Sequence, residues 1–122
     1  MKRLDYGFCV LLALGGLGHL FGTFAGYELG TEVFAWSLSA SGFVFTLVFL
    51  NVMRIRRPGV RVLALGAAVP TLVWAGIALM FGGSIGAVAD PRILMHVVAA
   101  LGLMAMALSG SRSGGTRPIS LQ

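Results

Sequence analysis

One cysteine, four prolines, four carboxylates and two histidines are spread over 122 residues, and charged side chains make up only 11%. The single thiol, Cys9, excludes an intramolecular disulfide and a metal site built from cysteines alone. A small buried apolar side chain is the reading left for it. Charge at less than half the roughly 25% usual in soluble domains excludes a soluble fold of this size. Polar surface is too scarce to cover a chain that is 57% hydrophobic, with a mean hydropathy of +0.93. No H-E-x-x-H pair and no phosphate loop occurs, and Ser37, Ser39 and Ser41 have no evident base beside them. No catalytic constellation is therefore visible.

What the chain does have is long apolar runs. A membrane helix needs about 20 apolar residues, and four stretches qualify: 6–27, 33–53, 60–81 and a shorter one at 93–110. Apart from Arg61 at the start of the third, they hold no Asp, Glu, Lys or Arg. The fold class expected is all-α: an integral membrane four-helix bundle, one domain over 1–122, with antiparallel neighbours joined by short loops. Each connection carries helix-end chemistry. Gly30 is suited to end the first helix and Thr31 to cap the second, with Glu32 at its positive dipole end. Arg54, Arg56 and Arg57 suit the negative end of the second, and Pro58-Gly59 a turn. Gly82-Gly83 is expected to stop the third helix. Asp90-Pro91 is a cap followed by proline at the first helical position. Residues 111–122 form a Ser/Gly-rich tail expected to be disordered.

The net charge of +5 does not point to nucleic acid, because the basic residues sit between apolar spans. Lys2 and Arg3, Arg54 to Arg61, and Arg112 and Arg117 all fall on one side of such a bundle. Glu28, Glu32, Asp90 and the lone Arg92 fall on the other. The positive-inside rule then puts both termini in the cytoplasm, in a bacterial inner membrane. The first apolar run exceeds the usual 7–15 residues of a signal peptide, so it reads as an uncleaved helix.

Glycine repeats every fourth residue along the first helix, and Gly15, Gly18, Gly22 and Gly26 share one face with His19. In lipid, helices associate by close packing, and glycine lets backbones approach. This face, a glycine zipper, is expected to meet another helix of the chain. The fourth helix offers His96, Ala99, Ala100, Leu103, Ala107 and Gly110. The second offers Ser39, Gly42 and Thr46 on one side, with Phe34, Leu38, Phe45 and Phe49 expected to face lipid. Pro70 should kink the third helix and free the Gly66 carbonyl, with Thr71 placed to satisfy it. Trp36 and Tyr27 suit an interfacial aromatic belt.

His19 and His96 are the strongly polar ionisable groups placed well inside spans, and such residues are functional candidates by default. At 1.5 Å per residue they lie roughly 12 Å and 6 Å below the non-basic boundary. Three readings stand in descending order. In the first, neutral histidines hydrogen-bond across helices in a structural or accessory protein that has no cofactor and assembles with itself or a larger membrane complex. In the second, His19 and His96 share a ligand: haem b with Arg92 on a propionate, or copper with Met80 or Met95 nearby. In the third, a histidine carries protons in a small transporter. In size and four-helix plan the chain resembles the small multidrug-resistance transporters. Those rely on a membrane-embedded glutamate, whereas Asp5, Glu28, Glu32 and Asp90 all lie at helix ends here, so the resemblance implies no shared mechanism.

Overall fold

A computed structural model describes residues 2–112, the last three by backbone alone. The packing of Gly110 is not described, and the tail beyond Arg112 lies outside the described residues. Among these the chain forms four helices: α1 (Lys2–Gly26), α2 (Glu32–Arg56), α3 (Arg61–Ser84) and α4 (Pro91–Arg112). All four are long and apolar enough to cross a membrane. Each is longer than its apolar run: flanking charged residues extend α1 and α2, Gly82 to Ser84 extend α3, and α4 reaches into the segment expected to be tail.

The ends follow local chemistry. Thr31 accepts from the amide of Phe34 at 3.2 Å and so caps α2. Asp90 accepts from the amide of Arg92 at 2.8 Å, with Pro91 at the first helical position. The stop of α3 differs from expectation. The helix runs through Gly82 and Gly83 and ends in a Schellman motif. Gly86, at φ 66°, is its left-handed residue, and the amides of Ala87 and Gly86 bond to the carbonyls of Gly82 and Gly83 at 2.8 and 3.2 Å. Gly82 is needed elsewhere: a Cβ there would lie 2.9 Å from the Ile93 side chain. Gly30 likewise ends no helix. The first helix stops at Gly26, and Gly30 at φ 84° makes the turn into the Thr31 cap.

Side-chain contacts set the order of the helices. Asp5 meets Arg54 and Thr23 meets Ser37, so α1 and α2 run antiparallel. Gly82 under Ile93 does the same for α3 and α4, and Gly15 under His96 with Gly102 under Phe8 for α1 and α4. Each helix packs on two others, α1 on α2 and α4, and α3 on α2 and α4. The result is a closed ring in which α1 and α3 stand diagonally across. The ends of the ring are called basic (Lys2, Arg3, Arg54 to Arg61) and acidic (Glu28, Glu32, Asp90) below.

The main core cluster lies toward the basic end, and a smaller one of Ala78, Ile93 and Val97 joins α3 and α4 toward the acidic end. Leu12, Val44, Leu47, Ala99, Ala100 and Leu103 are fully buried, joined by Cys9, Ile55, Trp74 and Ala75. Cys9 is thus the small buried side chain expected, and Ala100 and Ala107 of α4 face inward. Two faces are corrected. On α2, Phe34 is buried edge-to-face on Phe24, and Phe45 packs over Gly16; Leu38 and Phe49 stay exposed. Ser39, Gly42 and Thr46 are outside, with each hydroxyl donating to the carbonyl four residues back. A hydroxyl satisfied by its own helix carries little penalty in lipid. On α1, the close-packed glycines are Gly15 and Gly16. Gly18, Gly22 and Gly26 are exposed, and a Cβ at any of them would meet nothing within 4 Å. In this single chain the glycine face is therefore not a continuous helix seam.

Candidate functional site

The same glycines explain where space is left. Toward the acidic end α1 and α3 do not meet, and a cavity of about 530 Å³ lies between them, lined from all four helices. Gly15, Gly18 and Gly22 line the α1 side with Thr23 and Tyr27. Trp74, Ile77 and Phe81 form the α3 wall. His19 and His96 both line it, so the ring order brings together the two imidazoles singled out in the sequence.

Each histidine is held by partners that the sequence reading did not name. Trp74 donates its indole N–H to Nδ1 of His96 at 3.3 Å, and the two rings stand edge-on, 5.6 Å apart. The other side of the His96 ring lies on Gly15, where a Cβ would come within 2.6 Å of it. Because Nδ1 accepts from the indole, the neutral ring carries its proton on Nε2. On α1, Thr23 donates to the carbonyl of His19 at 2.9 Å. Its only hydroxyl hydrogen is thereby used, so Ser37, 2.6 Å away, must donate to Thr23. Ser37 then has only lone pairs for His19 Nε2 at 3.3 Å, which must be the donor. The chain runs one way: His19 Nε2–H to Ser37, Ser37 to Thr23, Thr23 back to the His19 carbonyl.

This direction bears on the shared-ligand reading. Iron or copper binds an imidazole nitrogen through its lone pair, and in this arrangement both Nε2 atoms carry hydrogen. A bridge through them would have to break the Trp74 and Ser37 bonds. Arg92 is occupied too. It stands at the cavity mouth, 87% exposed, with its guanidinium on Asp90 at 2.7 Å. That pairing and the backbone bond of Arg92 hold the Asp90 carboxyl down to about 2. Among the described residues no cluster of three His, Cys, Asp or Glu side chains converges.

A second polar centre lies at the basic end. Arg54 grips both carboxylate oxygens of Asp5, one through NH1 at 3.1 Å, and donates from Nε to Asn51 Oδ1 at 3.2 Å. Asn51, fully buried, donates to Thr71 Oγ1 at 3.1 Å and to the Leu47 carbonyl at 3.0 Å. Thr71 donates in turn to the carbonyl of Ala67, not of Gly66, at 2.7 Å. The network ties α1, α2 and α3 together where they converge. In the sequence Asp5 and Arg54 look like flanking charges, and their separation of 49 positions carries no signal that they pair.

Comparison with protein-family models, with curated proteins and with solved structures finds no match to the chain.

Proposed function

We propose that the chain is a small multi-pass protein of the bacterial inner membrane without a catalytic centre, a structural or accessory subunit that assembles with itself or within a larger membrane complex. What carries the reading is that each imidazole makes a cross-helix hydrogen bond, His96 with Trp74 and His19 with Ser37. No described buried side-chain nitrogen or oxygen lacks a partner, the mark of a polar interior that fastens a fold. Assembly is supported by Ser39, Gly42 and Thr46, small residues on the outer side of α2 where another helix can approach closely. Protein extracted in native lipid should be colourless and free of copper and iron, and native mass spectrometry should show a species larger than one chain. A Soret band lost in both His19→Ala and His96→Ala would replace this reading with the haem alternative. A purely monomeric species would remove the assembly part.

The basic end belongs in the cytoplasm by the positive-inside rule. Reporter fusions at Gly59 and after Arg112 should report cytoplasm, and fusions near Gly30 and Gly86 the opposite side. A periplasmic signal at Gly59 would invert the topology.

A further inference from the structure

The cavity has a shape and a polarity that restrict what fits it. On the α1 side Gly15, Gly18 and Gly22 present bare backbone beside His19, Thr23 and Tyr27, and the facing α3 wall is Trp74, Ile77 and Phe81. Bare backbone at three glycines opposite a row of large apolar side chains leaves a slot suited to a flat ring. The volume of about 530 Å³ lies within the usual range of small-molecule sites. Charge does not direct the occupant, because Arg92 and Asp90 at the mouth neutralise each other. One polar group does. The hydrogen-bond chain through Ser37 and Thr23 fixes the proton of His19 on Nε2, which leaves Nδ1 with its lone pair on a ring that lines the slot. The lining therefore presents a lone-pair acceptor in a largely apolar slot. A carbonyl or ether oxygen would meet it lone pair to lone pair, whereas a hydroxyl would donate to it. Reversing the His19 tautomer would leave the 2.6 Å Ser37–Thr23 contact without a proton unless Thr23 released the His19 carbonyl.

We propose that this cavity binds a planar, lipid-soluble molecule bearing a phenolic hydroxyl, a phenol or hydroquinone, which stacks between the glycine wall and Trp74 and donates to Nδ1 of His19. The inference rests on the cofactor-free reading above. A Soret band in the starting preparation fails both, whereas a colourless protein that ignores the probe fails this one alone.

The test uses the full chain in lipid nanodiscs with ¹⁵N-labelled indoles. The two tryptophans, assigned with Trp36→Phe, report on different places: Trp74 lines the cavity and Trp36 is 70% exposed on the outside. Tetramethylhydroquinone, kept reduced with ascorbate, is titrated against its dimethyl ether, the same ring without a donor. The Trp74 signal should move saturably and the Trp36 signal should not. The ether should bind about tenfold more weakly, the scale of one net hydrogen bond. His19→Phe should erase the difference between the two compounds. Gly22→Leu, whose side chain enters the slot where nothing lies within 4 Å of a Cβ, should abolish binding of both with helicity unchanged. No saturable movement, equal binding of the two compounds to the unaltered protein, or equal movement of both indoles through partition into lipid would each overturn the proposal.

Discussion

Replacing Arg54 by leucine is expected to destabilise the bundle by about 3–5 kcal/mol, the usual cost of removing one partner of a buried ion pair. The Arg54 and Asp5 side chains are 9% and 12% exposed, so water screens little of their interaction. Loss of the guanidinium strands the Asp5 carboxylate and the Oδ1 of Asn51 together. Arg54→Lys should fall between, since an ammonium cannot reproduce a two-pronged grip on a carboxylate while also reaching Asn51. Asp5→Leu/Arg54→Leu should regain most of the loss, because two apolar side chains leave no unpaired charge. The measurement is a double-mutant cycle from reversible unfolding in mixed detergent. A single-variant cost below about 1 kcal/mol, the value of an exposed pair, would show that water reaches the site and that the bundle is open at its basic end.

Among the glycines, effects should divide sharply by position. Gly102→Leu is expected to cost at least the 1–3 kcal/mol of ordinary overpacking. A Cβ at Gly102 would already lie 2.6 Å from the Phe8 ring, so the ring must leave its place or α1 and α4 must separate there. Gly22→Leu, on a helix of the same kind, should shift the melting temperature little, because its Cβ meets nothing within 4 Å. Thermal unfolding of the two variants side by side decides the matter. Equal destabilisation would mean that Gly22 lies against another helix, and with it that the cavity is closed in the membrane.

Much of the architecture is written in one dimension. Four apolar runs of spanning length, Thr31 and Asp90 as caps, and the separation of Lys2, Arg3 and Arg54 to Arg61 from Glu28, Glu32 and Asp90 need only hydropathy, helix-end chemistry and charge. The inward face of α4 was legible for a similar reason: Ala99, Ala100 and Ala107 are small where helices come close. The faces of α1 and α2 were not. In water a buried face is apolar and its opposite polar, but lipid is as apolar as a protein core, so Phe34 and Phe49 look alike although one is buried and one exposed. Glycine spacing was ambiguous too, since the absence of a side chain permits both close packing, as at Gly15, and empty space, as at Gly22. The sequence by itself determined that four long apolar helices form, that Thr31 and Asp90 begin two of them, and that two imidazoles lie well within them. Only the tertiary structure decided that α1 closes the ring against α4, which places His19 and His96 on one cavity, hands their nitrogens to Ser37 and Trp74, and sets Asp5 against Arg54. Those pairings depend on which helices are neighbours, a property of how the ring closes that no local pattern encodes.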